Sequence, residues 1–143
     1  MNNVIFTNGC FDILHYGHFK LLEYCKSLGS TLLVGINSDS SIRKIKGDNR
    51  PINNEKIRKF NLECIKFVDK VFIFEETTPM DIMLKLKPDI IVKGGDYKID
   101  QIVGSDIFDV RIFKYVEGFS TTKQLKRFNN GGLLHRCLCI WLM

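Results

Sequence analysis

Residues 8–18 read NGCFDILHYGH, which gathers Asp12, His15 and His18 within seven positions behind the apolar run VIF at 4–6. Side chains three apart on a helix share a face, so His15 and His18 present their imidazoles together at a helix start. Such a pair can pack in a core or on a surface, hold a metal, or donate to anionic oxygens. The chain has three histidines and only these two are near one another, which is thin for a metal centre. Gly9 lets a backbone come close to a ligand, and the helix that follows offers unpaired N–H groups to an anion. Anion binding is the reading that uses the whole segment.

The elements that must carry this segment are legible as apolar runs. VIF at 4–6, LLVGI at 32–36, VFIF at 71–74, DIIV at 89–92 and VRIF at 110–113 read as five buried strands. Helical spacing appears from Tyr16 to Leu28 through Phe19, Leu22 and Cys25, with Gly29 as its stop. A second helix is expected from about Asp39, and a third over 54–67 through Ile57, Phe60, Cys64 and Phe67. A fourth starts at TPMD, with Thr78 as cap and Pro79 in the first turn, and ends at Lys87-Pro88. A last helix is expected near Ser120. Strands that are apolar throughout and alternate with helices imply an α/β fold: one Rossmann-like domain, a five-stranded parallel sheet with helices on both faces.

Ligands of such sheets bind beyond the carboxyl ends of the strands, where strand order reverses. The polar clusters fall there: NGCFDILHYGH after the first strand, NSDSS after the second, KGGDY after the fourth and EGFSTT after the fifth.

Composition excludes several alternatives. The 45% hydrophobic and 26% charged content is ordinary for a globular chain, and the net charge of +5 is scattered rather than massed. That suits a phosphate-bearing ligand, while the basic-aromatic strip of an RNA-binding protein is missing. Five cysteines, an odd number, argue against a disulfide framework, and Cys137-x-Cys139 has no second ligand cluster to make a zinc site. The N-terminal residues do not resemble a signal peptide, and no run approaches the length of a membrane span. The expectation is a cytoplasmic protein without nucleic-acid or membrane partners.

A chemistry fits these parts. A phosphate that attacks the α-phosphorus of a nucleotide is already ionised, so neither a strong base nor a covalent intermediate is required. The protein must align two anions and stabilise charge on the transferred and leaving groups. Imidazoles, lysines and helix N-termini suit that task, and no Ser-His-Asp grouping competes.

His15-Tyr16-Gly17-His18 matches the HxGH signature of the cytidylyltransferase-like nucleotidyltransferase superfamily, and Gly9-Cys10-Phe11-Asp12 the G-x-F-D that precedes it. The similarity runs from residue 4 to about 127 and includes Glu117–Thr122, which resembles the family's closing motif. It implies that His15, His18 and Lys46 are catalytic. It further implies that Gly9, Cys10, Phe11, Asp12, Gly95, Asp96, Ser120, Thr121 and Thr122 contact the nucleotide.

Within the superfamily, NSDSSIRKIKGDNRPIN, FEETTP and VKGGDYKIDQIVGS resemble the adenylyltransferase module of bacterial heptose-1-phosphate adenylyltransferases. Glycerol-3-phosphate cytidylyltransferases usually carry Arg-Thr where this chain has Tyr115 and Val116. The resemblance implies a stand-alone transferase that moves AMP from ATP to a heptose 1-phosphate. Its Mg²⁺ would bridge substrate phosphates without a dedicated protein ligand, and the family suggests a homodimer. The alternatives are cytidylyl transfer to a small polyol phosphate, or a nucleotide-binding module without turnover.

Several further residues carry two readings each. Lys44 and Lys46 either touch phosphate or are solvated. Arg50 either binds the sugar phosphate or caps its loop. Arg58 either sits where related transferases bind phosphate or makes a surface salt bridge. Asp96 either reads ligand hydroxyls or bonds its own turn. Lys44, Arg50 and Arg58 are assigned to the substrate phosphate. The loop from Lys46 to Asn53, rich in Gly, Pro and Asn, is expected to be a mobile flap that orders over the phosphates. The nucleotidyltransferase domain is placed at 1–127. Residues 128–143, RFNNGGLLHRCLCIWLM from Arg127 on, form a tail to which no role is given.

Overall fold

The computed structural model describes residues 2–114. Five strands, β1 (Val4–Gly9), β2 (Thr31–Asn37), β3 (Lys70–Phe74), β4 (Ile90–Gly94) and β5 (Asp109–Phe113), form one sheet in the order β3-β2-β1-β4-β5. Every pairing is parallel, and Phe6 of β1 lies between Leu33 of β2 and Ile91 of β4. The chain therefore starts in the middle, builds outward through β2 and β3, and then returns to add β4 and β5 on the other side. Strand order reverses between β1 and β4. That crevice is where an open parallel sheet takes its ligand.

Alternation along the strands divides the core into two layers. Ile5, Leu32, Val34, Ile36, Ile90 and Val92 face α1 (Tyr16–Ser27) and α3 (Glu55–Glu63), which contribute Leu22, Cys25 and Leu62. Phe6, Ile91 and Val110 face the other way, against Met83 of α4 (Met80–Leu86) and Ile102 beyond a short 3₁₀ turn at Ile99–Gln101. Both faces are covered, as the continuous apolar runs require. The remaining helix, α2 (Asp39–Lys46), follows β2 directly, and its cap Ser38 accepts a hydrogen bond from Ser41 N.

Four local expectations are corrected. On α1, Phe19 is 41% exposed and Leu21 takes its place in the core. Helix α3 ends at Glu63 and turns Ile57 and Phe60 outward, burying Arg58 and Leu62 instead. The reason is that Arg58 finds a full set of polar partners inside, described below. Pro79, not Thr78, is the N-cap of α4, with no side-chain cap. Gly29 does follow the C-cap Leu28 of α1, at the expected stop, but its backbone is not left-handed: a Cβ there would stand 2.3 Å from the carbonyl oxygen of Asn3, so the glycine serves close backbone packing beside β1.

Lys87, ahead of Pro88, does end α4, in a left-handed conformation (φ 47°). No helix among the described residues is long and apolar enough to cross a membrane. The expected last helix near Ser120, the domain limit at 127 and the tail at 128–143 lie outside the described residues.

Candidate active site

A cleft of about 540 Å³ opens at the carboxyl ends of the strands. Asn8 and Gly9 from β1, Asn37 from β2, Lys93 and Gly94 from β4 and Phe113 from β5 form its floor. Its sides come from His15, Gly17 and His18 of the turn into α1, Lys46 of α2, Thr77–Pro79 ahead of α4, and Tyr97. Among the described lining residues there are three permanent or potential cations, Lys46, Arg50 and Lys93, and no carboxylate. The cleft is built for an anion.

The turn after β1 shapes the wall that carries the histidines. Phe11 adopts a left-handed backbone (φ 46°) and is 4% exposed, with its ring 5.0 Å from that of His18. A Cβ on Gly9 would stand 3.2 Å from the Phe11 ring, so a glycine keeps the strand end and the ring together. His15 is the N-cap residue of α1, and its ring stacks on His18 with centroids 3.8 Å apart.

Burial, then the neighbouring His15 and Lys46, pushes the His18 pKa down to about 3, and burial lowers that of His15. Both rings are therefore neutral at pH 7. The Nδ1 atom of each is buried with no hydrogen-bond partner among the described residues. We assign the proton to Nε2 in both, because a buried lone pair left without a donor costs less than a buried N–H left without an acceptor. Each ring then offers Nε2–H as a donor.

Asp12, expected to contact the nucleotide, lies outside the cleft lining and is engaged by the protein itself. It is 3% exposed, and its carboxylate accepts from Ile52 N (3.0 Å), Asn53 N (2.9 Å) and Arg50 Nε (3.1 Å). Its carbonyl accepts from Asn53 Nδ2 at 2.8 Å. The loop expected to be a free flap is thus tied at its second half to the turn after β1. Arg50 both lines the cleft and is engaged by Asp12.

Arg58 is likewise corrected from a substrate-phosphate residue to a structural one. It is fully buried and donates from Nε to Asn53 O (2.9 Å), and from its two terminal nitrogens to Cys10 O (2.8 Å) and Asp39 Oδ1 (2.8 Å). It joins α2, α3, the loop and the turn after β1, and it does not line the cleft.

The remaining expected site residues divide. Gly9, Cys10, Phe11, His15, His18, Lys46, Arg50 and Gly95 are brought together at the cleft. Lys44 and Asp96 are exposed and lie outside its lining. Gly95 has φ +136°, and a Cβ on it would stand 2.6 Å from the Tyr97 ring, so its contribution is to the backbone. Ser120, Thr121 and Thr122 are outside the described residues.

Sequence reasoning missed Lys93 and Asn8, whose side chains bond to each other at 3.1 Å across the β1–β4 crevice. The available signal was a lone charge closing an apolar run at a strand's carboxyl end. Among the described residues no group of three or more His, Cys, Asp or Glu could hold a metal ion.

Comparison with known proteins adds to this geometry. The cytidylyltransferase-like family model matches residues 6–128. The bifunctional protein HldE of a Nitratiruptor species is 52% identical over 128 residues, covering 89% of this chain and 28% of that protein. HldE of Campylobacter concisus is also 52% identical, over 89% of this chain and 27% of its own length. The chain thus spans little more than a quarter of these curated relatives.

Among solved structures, the lipopolysaccharide core biosynthesis protein from Thermoplasma volcanium superposes with a TM-score of 0.67 at 30% identity, over 80% of this chain and 96% of that one. A protein of unknown function from Archaeoglobus fulgidus shares the fold, with a TM-score of 0.59 at 16% identity, over 78% of this chain and 98% of that one.

Proposed function

The chain belongs to the cytidylyltransferase-like family of nucleotidyltransferases, and we propose that it transfers AMP from ATP to a heptose 1-phosphate, releasing pyrophosphate. The observation that carries this reading is the charge character of the cleft: three cations, two neutral imidazole donors and no carboxylate among the described lining residues, at the crevice between β1 and β4. The choice of ATP and a heptose is supported by the resemblance of residues 37–53 and 92–105 to the heptose-1-phosphate adenylyltransferase module. It is supported further by the relatives named HldE and by one described as acting in lipopolysaccharide core biosynthesis.

In this reading the nucleotide's phosphates lie against the start of α1, where Gly9 lets them approach the backbone closely and the helix N-terminus favours an anion. His15 and His18 donate from Nε2 to oxygens of the transferred and leaving phosphates. As neutral donors they strengthen as charge accumulates there, and burial lowers both pKa values, that of His18 to about 3. An oxygen of the sugar phosphate attacks the α-phosphorus while the bond to the bridging oxygen breaks, and pyrophosphate leaves with that electron pair. The attacking oxygen is already ionised, so no protein base is needed. Lys46, exposed at the end of α2 yet lining the cleft, neutralises the transferred phosphate.

Mg²⁺ would supply charge neutralisation of the triphosphate. An ion that rides on the nucleotide's phosphates needs few protein ligands.

The test is pyrophosphate release over a panel of nucleoside triphosphates and sugar phosphates. Turnover with ATP and heptose 1-phosphate is expected. Turnover only with CTP and glycerol 3-phosphate would overturn the substrate assignment, and nucleotide binding without any turnover would make the chain a binding module.

A further inference from the structure

Lys93 and Arg50 are the lining cations that this reaction scheme leaves without a task, and Arg50 is already paired with Asp12. Alternation along β4 places Lys93 on the face of Ile91, the side of α4, and Asn8 lies on the matching face of β1 with Phe6. Helix α1 and its histidines stand over the opposite face, the one bearing Ile5 and Val92. The Lys93 ammonium is half-buried and donates to Asn8 Oδ1 at 3.1 Å, reaching across the crevice where strand order reverses. An ammonium has three N–H groups, and Asn8 satisfies one. No carboxylate lines the cleft among the described residues; the ammonium's hydrogen-bond partner is a neutral amide, and Cys10 is the other polar side chain that acts on it. Burial lowers its pKa, as expected for a cation short of counter-charge.

In-line displacement at phosphorus puts the attacking and leaving oxygens on opposite sides of the transferred group. With the nucleotide's phosphates against α1, the attacking phosphate must approach from the side of α4. We propose that Lys93, aimed by Asn8, binds the phosphate of the accepting sugar phosphate and sets its direction of attack. The inference rests on the adenylyl-transfer reading for the identity of that phosphate. Lys93 keeps its proton throughout. The acceptor oxygen forms the new bond to the α-phosphorus, the bridging bond breaks, and Lys93 only fixes the acceptor's remaining oxygens. A strand-end lysine on the α4 side thus makes the cleft a two-sided device, with the donor held on one face of the sheet and the acceptor on the other.

The experiment compares the full chain with Lys93→Met, Lys93→Arg and Asn8→Ala. In steady-state pyrophosphate release, Lys93→Met should raise the KM for heptose 1-phosphate by about tenfold or more, the scale of one lost charge-assisted hydrogen bond. The KM for ATP should stay within about twofold, and Lys93→Arg should restore part of the acceptor KM. Asn8→Ala should shift the acceptor KM in the same direction, by less.

A second readout does not depend on turnover. With a non-hydrolysable ATP analogue saturating the nucleotide side, inorganic phosphate is titrated calorimetrically. Its affinity should fall about tenfold in Lys93→Met, again on the scale of that one hydrogen bond, while analogue binding is unchanged. Loss of analogue affinity, or phosphate affinity equal to that of the unaltered chain, would overturn the role of Lys93. If phosphate binding depends on Lys93 but no sugar phosphate in the panel is turned over, the substrate reading fails and the assignment of Lys93 stands.

Discussion

Arg58 and His15 are both buried, at 0% and 8% exposure, and both reach the turn that follows β1. Their surroundings treat them in opposite ways. Arg58 has partners on every nitrogen: two carbonyls and a carboxylate, drawn from three separate segments. Asp12 is satisfied as completely by the loop at 50–53. The rings of His15 and His18 each keep a buried nitrogen with no partner among the described residues. Buried polar atoms are nearly always hydrogen-bonded, and here the two unpaired Nδ1 atoms belong to rings that line the cleft, whereas the equally unpaired Thr7 Oγ1 does not line it. The satisfied cluster is scaffold, and the histidine pair stands at the proposed site.

The largest expected effect tests the scaffold. Arg58→Ala removes a buried charge and strands the Asp39 carboxylate and two carbonyls, so it should cost about 3–5 kcal/mol in denaturant unfolding. A loss below about 1 kcal/mol, the median worth of an exposed pair, would mean that the cluster carries no special weight and that the contrast with the histidines is false. Next come the histidines themselves. His15→Ala and His18→Ala should each lower kcat by about 10²–10³ while leaving the unfolding midpoint close to that of the unaltered chain. Early melting with normal turnover would move the pair to the scaffold side of the comparison.

The effect that is smallest at neutral pH, and grows with acid, sharpens the comparison through protons. The His18 pKa falls from 6.5 to about 3 on folding, so the folded chain binds fewer protons than the unfolded one between those values. The associated stability is complete above about pH 6.5 and declines as the pH falls toward 3. His15 acts in the same direction. A His18→Gln variant should lose part of this acid sensitivity in thermal melts from pH 7 to 4. Parallel curves for both proteins would show that His18 titrates normally.

Much of this is readable from the amino-acid order alone, for a physical reason. The interior strands are buried on both faces and must be apolar throughout. The edge strands β3 and β5 stay largely apolar although they expose Ile73 and Arg111, so all five announce themselves as runs; the HxGH turn is local in sequence. What stays hidden depends on distant partners. Arg58 reads as a surface residue on a helix whose apolar stripe includes Ile57 and Phe60. Only Cys10, 48 positions away, and Asp39, 19 away, explain why the helix rolls to bury it. Asp12 next to two histidines reads as a ligand contact, and its real partners are 38–41 positions downstream. Lys93 and Asn8 stand 85 positions apart, joined only because the chain returns to place β4 beside β1.

Phe11 holds a backbone angle that a glycine would adopt with less strain, yet its ring is what fills the space between Gly9 and His18. The ring is 4% exposed and belongs to the core layer that α1 and α3 cover. Truncating a buried phenylalanine costs about 3–5 kcal/mol, more than the roughly 1–2 kcal/mol of the left-handed backbone. Heat tolerance and turnover therefore ask for the same side chain at position 11, and a library screened for thermal resistance alone should keep the wall behind His18.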